Sequence, residues 1–339
     1  MPEGGISMST RPKRIFVSVS TFILVCILTD PARAQGPPAS TVEKIVVSYP
    51  SRSITSFPIL ETARQKGFFQ KEGLNASIIY VRGGIDIKAL ITGDIDYAAA
   101  STTAITAFVA GVPVRLVMSY NAHVDQVLFA QPKYRSLAQL KGQPIGSLNP
   151  GGLVDTLLRR ILMQGGLQPE RDVVILNMGG TPERYAALRS GSVAAVMLSA
   201  PHSFRAEKEG FYKIAAAVDY VDVPGTGIAV RADRVKKQPG QIKRFIRASL
   251  RAIEYIRENR SEMTQMIAHE FGMDQEIAAL AYKQLLELLS PDGRHRMDGL
   301  QLIVDIARAA QKVNRQISAP QLVDEAPLEE VLREPGWLR

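Results

Sequence analysis

One short motif occurs twice in the chain, once in each half, and both copies lead to a serine. The first reads Ala-Leu-Ile-Thr-Gly at 89–93 and its apolar run ends at Ser101; the second reads Ala-Leu-Arg-Ser-Gly at 187–191 and its run ends at Ser199. In both, the pattern predicts a helix that ends at glycine, followed by a short strand. Ligands bind outside the carboxyl ends of strands in open α/β sheets. The repeat therefore predicts two similar lobes that each offer a hydroxyl to one small molecule.

The order of predicted elements supports this architecture. Strand-like and helix-like segments alternate from residue 44 to 217 at β-α-β spacing, which favours mainly parallel sheets. Three helices without new strands follow residue 238, which indicates a return to the first lobe. We predict an α/β fold with lobe 1 formed by 41–128 and 224–339 and lobe 2 by 129–223. Two crossing segments, near 126–130 and 222–230, would form a hinge.

The N-terminal segment has the composition of an export signal. A basic cluster at 11–14 precedes an uncharged, mostly apolar run at 15–28, and Ala32-Arg33-Ala34 fits a small-x-small cleavage site. We expect residues 1–34 to be a signal peptide cleaved near Ala34, and the mature protein to be periplasmic. A retained membrane anchor is the alternative. The chain could start at either Met1 or Met8.

Cysteine content and charge exclude several classes of function. Cys26 is the only cysteine and lies in the predicted leader, so the mature chain would have no thiol for disulfides, thiolate catalysis or metal binding. The net charge of +8 falls to +6 without the leader, which carries four basic and two acidic residues. The basic residues are spread over helix faces, as at 243–257. We therefore expect no nucleic-acid partner and interpret the charge as mild attraction for anionic ligands.

Several motifs resemble one protein family. Residues 67–74 read Gly-Phe-Phe-Gln-Lys-Glu-Gly-Leu, which resembles the GFF-x-x-EGL signature of substrate-binding proteins of ABC importers. The similar branch serves nitrate, taurine, aliphatic sulfonates and thiamine-type pyrimidines. Gly-Val-Pro-Val at 111–114, Leu-Lys-Gly at 140–142 and Gly-Leu-Gln-Pro at 166–169 agree in the same order. The second repeat departs from the family pattern, with Ala194 and Ala195 where aspartate is frequent.

The resemblance implies a fold and a role. The fold is the type 2 periplasmic-binding fold, α/β, with two lobes built on central, mainly parallel sheets and joined by two crossing hinge segments. The partners are a small-molecule ligand and a membrane ABC permease, with no cofactor and no metal, and we expect a monomer. The ligand would be a sulfonate, taurine, nitrate or a similar small anion. A periplasmic sensor component remains an alternative to a transporter subunit.

Candidate ligand-binding residues lie in loops after strands and at helix starts. A helix start presents backbone N–H groups that lack partners within the helix, which suits an anionic or polar group. Arg52 could bind an oxyanion through two parallel hydrogen bonds, or could be a solvated surface arginine. Helix capping is the structural alternative for the hydroxyl residues. The predicted binding residues are Ser51, Arg52, Ser53, Ser101, Thr102, Thr103, Asn149, Gly151, Gly152, Thr181, Ser199, Pro201 and His202.

Enzyme motifs find little support in the sequence. His269-Glu270 begins a zinc motif, but Met273 stands where the second histidine is needed. The chain has no Gly-x-Ser-x-Gly elbow and no phosphate-binding Gly-Lys-Ser/Thr loop. We expect a binding protein rather than an enzyme. The alternative is an enzyme of the same fold acting on a small ring compound such as a thiamine pyrimidine precursor.

Overall fold

The computed structural model describes residues 42–81 and 84–337, so the predicted leader, both candidate start methionines and Cys26 lie outside the described residues. The strands are β1 (Glu43–Tyr49), β2 (Leu74–Tyr80), β3 (Tyr97–Ala98), β4 (Val114–Ser119), β5 (Val127–Ala130), β6 (Pro144–Ser147), β7 (Val174–Asn177), β8 (Ala195–Leu198), β9 (Tyr212–Ala216) and β10 (Gly227–Arg231). The helices are α1 (Phe57–Gln65), α2 (Phe68–Lys71), α3 (Ile85–Thr92), α4 (Ser101–Val109), α5 (Leu153–Gln164), α6 (Thr181–Ser190), α7 (His202–Lys208), α8 (Ala232–Lys237), α9 (Pro239–Glu258), α10 (Arg260–Phe271), α11 (Gln275–Leu288), α12 (Met297–Ala310), α13 (Ala319–Leu322) and α14 (Ala326–Leu332).

The first sheet has the strand order β2-β1-β3-β10-β4. β1 pairs in parallel with β2 and β3, whereas β10 runs antiparallel to β3 and β4. Val47 and Ser48 of β1 point to opposite faces of the sheet and both are buried, as the continuous apolar run of this strand predicts for a sheet covered on both faces.

The second sheet repeats the first strand for strand, in the order β7-β6-β8-β5-β9. β6 is parallel to β7 and β8, and β5 is the one antiparallel strand. β3 and β8, the strands that lead to Ser101 and Ser199, hold the same middle position in their sheets. The duplicated motif thus marks equivalent strands of two lobes, and the predicted fold class is confirmed.

The chain passes between the sheets twice. Residues 120–126 connect β4 to β5, and residues 217–226 connect β9 to β10. The antiparallel strand of each sheet follows one of these crossings. The predicted boundary after residue 128 falls inside β5, which lies wholly in the second sheet, and the exact division of the lobes stays a prediction.

The C-terminal helices cover the first sheet. α9 packs on α1, α2 and α14, and its Phe245 stacks on Tyr97 with ring centroids 4.0 Å apart. Four longer helices follow β10 and α8, not the three predicted; α10 was missed because polar residues interrupt its apolar spacing. Among the helices of the described residues, none is long and apolar enough to cross a bilayer.

Thr181 differs from its predicted role. The sequence predicts that its hydroxyl caps helix α6, but Gly180 is the N-cap residue and Thr181 is the first helical residue. The Thr181 hydroxyl lies within hydrogen-bond distance of Ser51, Ser199 and Arg184 instead. Because the helix begins at Thr181 itself, its side chain lies one residue past the capping position, and these polar partners bind its hydroxyl.

Candidate functional site

A small cavity lies where the carboxyl ends of β1, β3 and β6 face α6 of the second lobe. Its volume is about 70 Å³, room for roughly five water molecules. Both lobes line it, and nine of its twenty lining residues are serine or threonine. The lining residues are Pro50, Ser51, Ser53, Thr55, Ser56, Ala99, Ala100, Ser101, Thr102, Thr103, Gln126, Leu148, Asn149, Gly152, Leu153, Val154, Thr181, Arg184, Gly225 and Thr226.

Four helices begin at this cavity. The N-cap residues Ser56, Ala100 and Gly152 of α1, α4 and α5 line it, as does Thr181 at the start of α6. None of these four helices has a hydrogen bond from the side chain of its N-cap residue. The positive ends of four helix dipoles therefore point toward one small volume, an arrangement that favours an anion.

Arg184 adds a formal positive charge to the wall. Its side chain is fully buried, and it donates to the carbonyl oxygens of Met197 and Gly179, each at 2.7 Å, and to the Thr181 hydroxyl at 3.2 Å. All three partners are uncharged. Burial lowers the pKa of Arg184 to about 10, while the charge of Glu183 opposes this shift. The guanidinium stays protonated at neutral pH, so a buried charge faces the cavity with no carboxylate hydrogen-bonded to it in the part of the chain that the structure describes.

Three more polar atoms of the wall lack partners. Thr102 Oγ1, Gln126 Oε1 and Asn149 Nδ2 are buried and have no hydrogen bond within the described part of the protein. A buried polar atom without a partner costs roughly 1–3 kcal/mol, so such atoms mark places where a ligand or ordered water completes the structure. The Thr102 hydroxyl and the Asn149 amide can both donate to an oxyanion.

Polar contacts join the two lobes beside the cavity. The backbone N–H of Thr181 donates to Ser51 Oγ at 3.1 Å, and the Ser51 and Thr181 hydroxyls lie 3.4 Å apart. Thr106 of α4 donates to the carbonyl oxygen of Gly151 at 2.9 Å. The lobes are thus in direct contact, and the cavity lies between them.

The structure brings most of the predicted binding residues to this cavity. Those that line it are Ser51, Ser53, Ser101, Thr102, Thr103, Asn149, Gly152 and Thr181. Ser199 lies behind Thr181, one hydrogen bond from the wall. Gly151 lines a different cavity on the other side of its turn.

Arg52 does not line the cavity. Its side chain is about half exposed, pairs with Glu270 at 3.0 Å and stacks over the ring of Phe57. Arg52 is therefore positioned as a surface arginine, the alternative given for it in the sequence analysis. Glu270 and the ring of Phe57, both outside the cavity, bind its guanidinium.

Pro201 and His202 also lie away from the cavity. His202 begins α7 and packs against Tyr185 and Phe271. Burial, with smaller effects of Arg205 and Arg184, lowers the pKa of His202 to about 4, so its imidazole is neutral at physiological pH. Its role in this structure is packing between α6 and α10.

Sequence reasoning missed Arg184 and Gln126. Arg184 lies on the face of α6 that also buries Thr181 and Leu188, at helical spacing. This helical spacing of Arg184 with Thr181 and Leu188 was the available signal. Gln126 gave no such signal, because it comes from a crossing segment that sequence periodicity does not describe.

Comparison with known proteins agrees with this geometry. Residues 54–268 match the model of the NMT1-like family. The chain belongs to the NMT1-like family. Its resemblance to substrate-binding proteins of ABC importers, drawn from residues 67–74 and the later motifs, is confirmed.

The individual relatives are distant from this chain in sequence. The chain is 25% identical over 307 residues to YtlA of Bacillus subtilis, covering 87% of this chain and 91% of YtlA. It is 24% identical over 254 residues to the nitrate import ATP-binding protein NrtC of Synechocystis sp., covering 67% of this chain but only 38% of NrtC. The alkanesulfonate-binding protein SsuA of Xanthomonas axonopodis pv. citri, bound to MOPS, shares the fold with a TM-score of 0.70 and 17% identity, over 83% of this chain and 98% of SsuA.

Proposed function

We propose that this NMT1-like protein is an extracytoplasmic solute-binding protein that captures a small anion between its two lobes. Arg184 is the observation that carries the proposal. Among the described residues the hydrogen-bond partners of its buried charge are all uncharged, and burying a charge is costly unless an opposite charge compensates it. A bound anion would supply that charge, and four helix starts would add to its stabilisation.

The lining of the cavity narrows the ligand class. Among the described lining residues there is no carboxylate to pair with an ammonium group and no aromatic ring to stack on a planar heterocycle. The volume of about 70 Å³ suits a compact solute. These features favour nitrate or a short sulfonate over taurine, which carries an ammonium group, and over a thiamine-type pyrimidine.

The setting of this function follows from the relatives. The names of the relatives given above state import or binding, and this favours capture over catalysis, including the alternative of an enzyme acting on a thiamine pyrimidine precursor. In our proposal a signal peptide cleaved near Ala34 exports the protein to the periplasm. The monomer then delivers its ligand to a membrane ABC permease.

A ligand panel tests the proposal directly. Isothermal titration of the purified protein with nitrate, methanesulfonate, ethanesulfonate, taurine and a thiamine-type pyrimidine should give binding with at least one compact anion. The neutral pyrimidine should give no heat of binding. Bound ligand recovered unchanged supports a binding protein, whereas chemical conversion of the ligand would support the enzyme. Binding of the pyrimidine alone would contradict the anion proposal.

A further inference from the structure

A second, larger cavity lies between α5 of the second lobe and α12 of the C-terminal region. Its volume is about 600 Å³, within the range of sites for small organic molecules. The wall is mostly apolar: Ile303, Ile306 and Ala310 of α12 face Met163 of α5 across it. We call this cavity the α5–α12 groove.

The groove is separate from the anion cavity described above. Gly151 lines the groove, whereas the next residue, Gly152, lines the anion cavity. Thr106 closes the boundary between them, because its hydroxyl donates to the Gly151 carbonyl oxygen and its own carbonyl accepts from Gln311 Nε2, each at 2.9 Å.

One charged side chain of the groove has no counter-ion among the residues that the structure describes. The carboxylates of Asp155 and Glu170 both pair with Arg159. Arg160 also lines the groove, and its Nε is buried without a hydrogen-bond partner among the described residues. An apolar wall with a guanidinium of this kind is complementary to a molecule with a hydrocarbon part and one negative head group.

We propose that the α5–α12 groove is a second binding site, specific for a free amphipathic monoanion such as a medium-chain carboxylic acid. The carboxylate would bind Arg160, and the hydrocarbon chain would lie along Ile303, Ile306 and Met163. Because α5 and α12 belong to different lobes, an occupant contacts both and stabilises the arrangement in which the lobes touch.

The test is isothermal titration of the purified protein with octanoate, with octylammonium and octanol as probes of the same chain length. Octanoate should bind more tightly than either. Arg160→Gln should weaken octanoate binding at least about tenfold, the usual effect of one charged hydrogen bond. Ile306→Asp should weaken it further by placing a negative charge in the groove. Unchanged melting temperatures would show that both variants fold.

Two control variants locate the binding. Arg135→Gln removes an exposed arginine of the same lobe outside the groove, and should leave octanoate affinity unchanged. Thr102→Val alters the anion cavity with little change of shape, and should also leave it unchanged. Equal octanoate affinity in Arg160→Gln and the wild type would overturn the proposal. Octylammonium binding as tight as octanoate binding would also overturn it. So would a loss of octanoate affinity in Thr102→Val as large as the loss in Arg160→Gln.

Discussion

Arg184 and His202 are both buried near α6, and burial acts on them in different ways. Arg184 keeps its charge, because even a pKa lowered to about 10 lies well above physiological pH. His202 loses its charge, because burial lowers its pKa to about 4. Arg184 is therefore the one charged side chain among the described residues that line the cavity, whereas His202, outside the cavity, stays neutral.

The His202 imidazole should give stability a measurable pH dependence. The pKa of His202 is about 4 in the folded protein and about 6.5 in the unfolded chain, so between these values the unfolded chain binds more protons. The free energy of unfolding contributed by this residue is fully present above pH 6.5 and falls as the pH drops toward 4. His202→Gln should remove this contribution, of order 3 kcal/mol across the window. Urea unfolding at several pH values measures it.

The comparison must be made between variant and wild type. Burial raises the pKa of Asp86 to about 6 and that of Asp125 to about 7, and these two groups give the opposite slope. Their contribution cancels in the difference between His202→Gln and the wild type. His269→Gln, at an exposed histidine, serves as the control and should leave the slope unchanged. If the free energy of unfolding of His202→Gln changes with pH as steeply as that of the wild type, the lowered pKa assigned to His202 is wrong.

The sequence predicted the positions of those residues that are determined by the order of strands and helices. Ser101 and Asn149 follow strands, and Gly152 precedes a helix, so element order alone placed them at the cavity. Arg52 also follows a strand, but its long side chain turns outward to Glu270. The direction of a long, flexible side chain depends on partners from distant parts of the chain, and no local pattern encodes it.

At the scale of elements, glycine replaces the usual capping residues at two of the helix starts. Gly152 and Gly180 precede α5 and α6, positions where serine, threonine, aspartate or asparagine would normally bond to the first-turn amides. Glycine offers no such side chain, so the N-cap residue does not bind the first-turn amides, and at α6 the Thr181 N–H donates to Ser51 Oγ instead. Glycine also lets the backbone approach a ligand closely, which is consistent with an anion site formed by helix starts.

Gly152→Ala should weaken ligand binding. The φ angle of Gly152 is −80°, so alanine meets no backbone strain there. Its Cβ would lie 2.7 Å from Asn149 Nδ2, and the Asn149 side chain must move within a small cavity. We expect a loss of binding free energy of about 1–2 kcal/mol, since overpacking typically costs this much. Isothermal titration with the anion that binds best measures it.

Gly240→Ala is the matched control for this variant. Gly240 lies in α9, and no atom is within 4 Å of an added Cβ. This variant should keep the wild-type affinity and gain about 0.5–1 kcal/mol of stability, because alanine is the better helix former. Wild-type affinity in both variants would show that the start of α5 does not contact the ligand.

Element-scale prediction was accurate for strongly periodic segments and failed for weak ones. The spacing of α9 and the β-branched run of β1 were sufficient to place both elements. α10 buries only Met263, Thr264, Ile267 and Ala268, and its remaining residues are largely polar. Its position is determined by packing against α11, a tertiary contact that a local sequence pattern does not contain.

In the whole molecule, two sheets of the same strand order lie on either side of the anion cavity. The duplicated motif predicted this symmetry, because it marks the middle strand of each sheet. The contacts that close the lobes were not predictable. The hydroxyls of Ser51 and Thr181 meet across the lobes only after the chain has crossed from the first sheet to the second. Such contacts depend on the relative position of the lobes, which follows from the whole fold.

The role of Arg184 in anion binding is tested most directly by isothermal titration with the best-binding anion. The titration compares wild-type protein, Arg184→Met, Arg184→Lys and Arg189→Met. Arg189 lies on the same helix but is exposed and pairs with Glu209, so Arg189→Met should bind like the wild type. Arg184→Met should lose at least about 100-fold in affinity, since it removes the buried charge opposite the anion, and Arg184→Lys should lose less. Melting temperatures establish that each variant folds. If folded Arg184→Met binds the anion with wild-type affinity, Arg184 does not form the binding site and the proposed anion site is wrong.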